Sequence, residues 1–418
     1  MSHEARNALP ARPTGPMVRW GLLGAGVGAV AGSVFAASVS ALAGYFARQV
    51  VTPKPRVEDI AILAVVRGVD GDEVILPANA ETTAPGSYSL YFDGGAGHAR
   101  IGRVLSFVPA EGTVSREVEH VYAGELRAAV RGWWSGVVYP TPAEIGADAE
   151  DVEVQVEGGV APAWLVPGTH RAGTWAVMVH GRGASRTEGI RAIPTARELG
   201  MTSLLVSYRN DGLAPDAGDQ RYGLGSTEWE DVDHAIDFAV SRGARDIVLF
   251  GWSMGGAICL QLADKSRHRR RLQALVLDGP VVNWMDVLAH HARVNRIPES
   301  AGRLGQWLLS NKAGRWATGL ASPVNLKDLN WVAKPEQLRL QTLILHSEDD
   351  DFVPVGPSAA LAELNPSMVT FERFTQAGHT REWNVDPERW HSTVVSWLGS
   401  VLDAPHPGRP RAEAAAGS

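Results

Sequence analysis

The stretch that decides the fold is "DIVLFGWSMGGAICLQLA", residues 246–263. An apolar run leads into Gly251-Trp252-Ser253-Met254-Gly255-Gly256, and a helix-forming segment follows. Strand, tight turn and helix in that order carry a serine to the carboxyl edge of a sheet. Gly251 and Gly255 leave the crowded turn without side chains that would collide with neighbouring backbone, and Gly256 lets the helix pack closely. Ser253 then stands at a helix N-terminus, where the peptide dipole favours developing negative charge. In a chain with 45 glycines among 418 residues, G-x-S-x-G also arises by chance. The flanking strand and helix, rather than the pentapeptide, make Ser253 a candidate nucleophile.

A nucleophilic serine needs a base, and the base needs an orienting acid. Both are expected later in the chain, at the ends of later strands. "LILHSEDDDFVP" (343–354) ends one apolar run in a cluster of acids, and "FERFTQAGHTREW" (371–383) ends the next in Gly378-His379. The order is therefore Ser253, an acid near 350, then His379. His391 falls inside a C-terminal helical pattern and His290 and His291 in an insertion, so they compete poorly. The oxyanion of acyl transfer needs backbone N–H donors. The Met254 amide is one. "VMVHGRGAS" (177–185) supplies the second, assigned to Arg182 with Gly183 as the alternate. The Arg182 side chain is alternatively placed to bind an anionic substrate group.

Apolar runs alternate with helical stretches on both sides of this motif: "WAVMVH", "TSLLVSY", "DIVLFGW", "ALVLDGP", "TLILHSE" and "MVTFERF". Continuous apolar strands separated by helices predict an α/β fold with a mostly parallel sheet covered on both faces. A hairpin, "VEVQV" and "APAWLV" joined by Gly158-Gly159, precedes them, and "WEDVDHAIDFAV" (229–240) is an amphipathic helix. The alternation breaks at 281–334, a short helical insertion carrying Trp284, Trp307, Trp316 and Trp331, placed where a lid would cover the site.

Residues 151–403 resemble the α/β-hydrolase superfamily on "HGRG" (180–183), "GWSMGG" (251–256), "HSEDDDFVP" (346–354) and "AGH" (377–379). "YRNDGLAP" (208–215) is similar to the branch that holds Bem46-like and acylaminoacyl-peptidase-like serine hydrolases. The resemblance implies a Ser-His-Asp triad. Near the acid the family reads H-G-x-x-D-x-x-V-P; His346 and Val353-Pro354 set the register and place the acid on Asp350. Ser347 replaces the usual glycine, Asp349 and Asp351 flank the position, and Asp278 is a second candidate, because some relatives carry the acid there.

The amino end differs. Trp20 to Phe46 contains no charged residue. At ~1.5 Å per residue it exceeds a ~30 Å hydrocarbon core. A transmembrane helix is expected over 19–47, after an arm 1–18 and before a linker 48–56. "ALA" (41–43) offers a signal-peptidase site as the alternative, and arginines on both flanks leave orientation open. Gly24, Gly28, Gly32, Ala36, Ser40 and Gly44 form a small-residue stripe suited to self-association in the membrane. "GAGVGAVAG" is no dinucleotide loop, since no strand precedes it and no acid follows before Glu58. Short alternating runs over 57–122 predict a β-rich module, 123–132 a helix, and 123–150 a connector in which Trp133 and Trp134 pack against the next domain, with resting at a membrane surface or roofing a pocket as the alternatives. The tail 404–418 is Pro/Ala-rich and expected to be disordered.

A net charge of −7 without a basic patch excludes a nucleic-acid footprint, and the lone Cys259 excludes an internal disulfide and a cysteine-based metal site. The sequence thus predicts a membrane-anchored serine hydrolase without metal or organic cofactor, acting on a small-molecule or acylated ester or thioester. Amide or peptide cleavage, and a non-catalytic membrane scaffold of the same fold, are the competing expectations.

Overall fold

The structure is a computed structural model that describes residues 39–68 and 71–404. The arm 1–18, residues 19–38 of the expected span and residues 405–418 of the tail lie outside the described residues. Among the described residues no helix is long and apolar enough to cross a membrane.

The chain enters as helix α1 (39–51). It runs past the expected end at 47, so the linker starts only where Pro53 and Pro55 forbid further helix. Ala43, Ala47 and Val51, four residues apart, form a fully buried stripe on the main body. A Cβ on Gly44 would meet the Ala317 methyl at 3.5 Å, and one on Gly305 would meet the Ala43 carbonyl at 3.4 Å. The described end of the small-residue stripe therefore packs within this chain, against the 281–334 insertion.

A seven-stranded antiparallel sheet follows. It is built from β1 (Ile60–Ala61), β2 (Ala64–Arg67), β3 (Asp72–Pro77), β4 (Tyr88–Phe92), β5 (Gly97–Val108), β6 (Thr113–Ala123) and β7 (Arg131–Ser135), in the order β1-β7-β4-β5-β6-β3-β2. This corrects two expectations. Residues 123–132 form no long helix, only a 3₁₀ turn at Leu126–Ala128, and the supposed connector supplies β7, a strand inside the module sheet. Trp133 and Trp134 stand opposite Tyr91 and Leu90 on β4, so cross-strand stacking, rather than local propensity, decides their conformation. Arg116, fully buried, donates to the carbonyls of Thr82, Ala84, Gly86 and Gly102 and lies beside the stacked Tyr88 and Trp134 rings. It fixes the segment that faces the next sheet.

The main body is an eight-stranded sheet. Its strands are β8 (Glu150–Val156), β9 (Gly159–Val166), β10 (Arg171–Val179), β11 (Met201–Val206), β12 (Asp246–Trp252), β13 (Leu272–Asp278), β14 (Gln341–Ser347) and β15 (Val369–Phe374). The order β15-β14-β13-β12-β10-β11-β9-β8 is parallel from β15 to β11, with the β8–β9 hairpin antiparallel at the edge. Side chains alternate between two cores. Val177, Val179, Leu249 and Leu277 face α1, α3 (Glu228–Ser241) and α4 (Met254–Lys265), with α2 (Ile193–Glu198) on the opposite side. Met178, Phe250, Val276 and Leu345 face α2 and the C-terminal α10 (Pro387–Asp403). The remaining helices are α5 (Trp284–Val294), α6 (Glu299–Ser310) and α7 (Arg315–Thr318) of the insertion, α8 (Gly356–Leu364) and α9 (Glu382–Val385). Adjacent β10 and β12 leave in opposite directions, to α2 and α4, and open the crevice where such sheets bind ligands.

Candidate active site

β12 ends at Trp252, and Ser253 turns the chain with φ 52° and ψ −115° before α4 starts. An L-residue at positive φ is strained and persists only where its surroundings enforce it. Here they do. A Cβ on Gly255 would lie 2.1 Å from the Val179 carbonyl, and one on Gly251 would lie 2.8 Å from Cys259 Sγ. Ser253 N donates to Asp278 O at 3.1 Å, and its carbonyl accepts from Val281 N at 3.1 Å. Cys259 is fully buried, and burial pushes its thiol far above the usual range, which excludes it as a nucleophile.

His379 Nε2 lies 2.8 Å from Ser253 Oγ, and His379 Nδ1 lies 2.7 Å from Asp350 Oδ2. Because an ionised carboxylate only accepts, the ring proton sits on Nδ1, and Nε2 is free to accept the serine hydroxyl proton. Asp350 Oδ1 accepts from the Phe352 and Val353 amides at 2.9 and 2.8 Å. Burial would raise this carboxyl; the charge and hydrogen bonds of His379 and His346 outweigh it and hold Asp350 well below the usual range. Its flanking acids do other work. Asp349 accepts from Gln376 N, and the Asp351 carbonyl binds His290.

His346, which in the sequence only sets register, braces the acid. Its Nε2 reaches both Asp350 Oδ2 and the Val353 carbonyl at 3.1 Å, and its Nδ1 meets Ser358 Oγ at 2.9 Å. A carbonyl cannot donate, so Nε2 carries the proton. Asp278, the second candidate acid, is turned away from His379. Its Oδ2 accepts from Trp390 Nε1 at 2.8 Å, and its carboxylate is hydrogen-bonded to Glu382. Burial, then the Asp278 charge, push Glu382 well above the usual carboxyl range. Glu382 Oε1 also accepts from Ser347 N, which ties this pair to the end of β14.

The sign of that shift gives a measurable consequence. A carboxyl whose folded pKa is raised stabilises the fold fully below its unfolded value of about 4.3. That contribution is lost as pH rises through the folded value. Glu382→Gln keeps a donor toward Asp278 and an acceptor for Ser347 N but cannot ionise. The variant is expected to gain Tm relative to the native chain as pH climbs from about 4.3 to 8. Parallel Tm–pH curves would refute the raised Glu382 carboxyl.

The "HGRG" loop is pinned by the groups around it. Tyr208 Oη donates to the His180 and Gly181 carbonyls, Arg56 to the Gly183 carbonyl, and Gly181 N to Glu188 Oε2. The Tyr222 hydroxyl lies near Gly183 N. Among the described residues, nothing accepts from the Arg182 or Met254 amides. The Arg182 guanidinium donates to Val50 O at 3.2 Å, clamping the end of α1 beside the site.

A cleft of about 590 Å³ opens over Ser253 and His379. The β-rich module roofs it with Ala80, Glu81, Tyr88 and Trp134, and the insertion contributes only Trp284 of its four tryptophans. Trp331 is buried elsewhere, while Trp307 and Trp316 face outward at 49% and 76% exposure. The module is fastened at Asn384, whose Nδ2 donates to the Ser87 and Gly136 carbonyls at 2.8 and 2.9 Å. No motif in the module announces this role, because it depends on contacts some 250 to 300 residues away along the chain.

A family model described as "Alpha/beta hydrolase family" matches residues 176–397, more than half of the chain. The chain is an α/β hydrolase. A second model, "Domain of unknown function (DUF8805)", matches 65–135 and so takes in β3 to β7 of the module. Among solved structures, the Pyrococcus furiosus esterase Pf2001 is similar at 18% identity and TM-score 0.48, covering 63% of this chain and 94% of its own. The Rhodococcus sp. esterase RhEst1 gives 20% and 0.42 over 60% and 99%. A Pseudomonas fluorescens meta-cleavage product hydrolase gives 15% and 0.42 over 60% and 97%. The α/β hydrolase is thus an enzyme whose catalytic body is preceded by α1 and a roof module.

Proposed function

We propose that this α/β hydrolase cleaves a carboxylic ester or thioester through a Ser253–His379–Asp350 triad. The observation that carries this is the unbroken run from Ser253 Oγ through both His379 nitrogens to Asp350, at 2.8 and 2.7 Å. Ser253 Oγ attacks the carbonyl carbon while His379 Nε2 takes its proton. The oxyanion accepts from the Met254 and Arg182 amides. The intermediate collapses, and His379 returns the proton to the leaving alcohol or thiol. Water, deprotonated by His379, then cleaves the acyl-enzyme, and Asp350 holds the imidazole tautomer throughout. The scheme requires no metal or organic cofactor.

Kinship with the branch of Bem46-like and acylaminoacyl-peptidase-like hydrolases rests on "YRNDGLAP" (208–215). Its Tyr208 and Asp211 bind the oxyanion loop at Gly181 and His180. We place the enzyme at a membrane, held by the uncharged run that begins at Trp20. The outward Trp307 and Trp316 support that placement, since they lie on α6 and α7, the helices against α1. Nitrophenyl acetate assayed beside aminoacyl nitroanilides tests the ester reading: faster ester turnover is expected, and turnover of the anilides alone would replace it with amidase activity.

A further inference from the structure

We infer that α1 is part of the substrate site, forming one wall of a groove that holds the acyl chain and sets acyl-length preference. This rests on the ester reading. A groove of about 400 Å³ runs between α1 and the insertion, with Leu42, Phe46 and Val50 on one side and Val287, Leu288 and Ile297 on the other. It adjoins the Ser253 cleft, and Arg182, Trp284 and Phe352 line both. Phe352 also stacks on the His379 ring, with centroids 5.0 Å apart. An acyl group bonded to Ser253 Oγ therefore has a mostly apolar path leading away from the reacting carbon. Lys54 and Arg182 bring charge to that path, and Tyr45, Gln49, His291 and Asn295 bring polar groups to a lining that is otherwise apolar.

The wall is rigid at its inner end. Ala43, Ala47 and Val51 are fully buried, Tyr222 N donates to Val51 O at 2.8 Å, and Arg182 donates to Val50 O. Arg182 thus links the wall to the residue whose amide meets the oxyanion. Its outer end is open, with Leu42 36% exposed. The occupant we assign is an unbranched aliphatic acyl chain, because the path is mostly apolar and begins at the nucleophile.

Nitrophenyl esters from acetate to decanoate, assayed on the full chain, test this. In the native protein kcat/KM is expected to rise by about fourfold per methylene until the groove is filled, as burial of each methylene in the transition state would give. The readout for variants is the octanoate-to-acetate ratio of kcat/KM, which does not depend on the folded fraction. Leu42→Glu, at a partly exposed position, and Phe46→Ala are each expected to lower that ratio at least tenfold. An acetate-active native enzyme with a flat chain-length profile would overturn the inference and leave the ester reading standing. So would a ratio unmoved by both substitutions; the groove would then hold something else, such as residues 1–38 or a second copy. Failure to hydrolyse any ester would sink the ester reading and this inference with it.

Discussion

Ser253→Ala is expected to lower kcat on a nitrophenyl ester by about 10⁶-fold, the scale seen when a serine-hydrolase triad loses its nucleophile. No other group stands in for it. Cys259 is buried with its thiol held protonated, and Ser253 Oγ is the group that His379 Nε2 faces. The residual rate belongs to the oxyanion amides and to binding, which stay in place because alanine keeps the backbone of the turn. The variant is expected to retain its Tm, since one partly solvated hydroxyl contributes little to folding. A loss of less than tenfold in single-turnover assays would mean that attack occurs elsewhere.

Asp350→Asn is expected to cost about 10⁴-fold in kcat, because an amide in this position reverses the tautomer of the base. The introduced side-chain NH₂ would donate toward His379 Nδ1 and move the ring proton to Nε2, where it cannot accept from Ser253. The same substitution alters acid stability. Asp350 is held below its ordinary pKa, so its stabilisation is complete above the unfolded value of about 3.9 and is lost as pH falls through the folded value. The native chain should therefore lose Tm between about pH 5 and 2 more steeply than the asparagine variant. Two acid limbs of equal slope would mean that the His379 and His346 contacts do not stabilise the carboxylate.

The catalytic body is legible in the sequence because its physics is local. Each β-strand from β10 to β14 carries a continuous buried and largely apolar run, as burial on both faces requires, while the edge strand β15 mixes Glu372 and Arg373 with apolar residues. The turn at Ser253 needs glycines at 251 and 255, which the chain writes plainly. The acid can be placed near its strand end, but only coordinates show that Asp350, and not Asp278, bonds His379. The amino half is harder. The apolar stretch to Phe46 suits a lipid-facing helix, and its last turns equally suit one docked on α6 and α7, so composition does not separate the two. β7 reads as a connector because its pairing with β4 joins positions over forty residues apart. The roles of Glu382 and Asn384 escape a sequence reading for the same reason, since each acts on a partner 35 or 297 residues away, whereas His346 stands four residues from Asp350 and its spacing is legible but not its brace.

Intact-mass analysis of the native chain after treatment with a fluorophosphonate, with Ser253→Ala and His379→Ala treated alongside, shows whether His379 activates Ser253 as the nucleophile. One adduct per native chain is expected, on the peptide carrying Ser253, with none on the Ser253 variant and strongly slowed labelling of the His379 variant. An unlabelled native chain, or an adduct that survives Ser253→Ala, would contradict the triad.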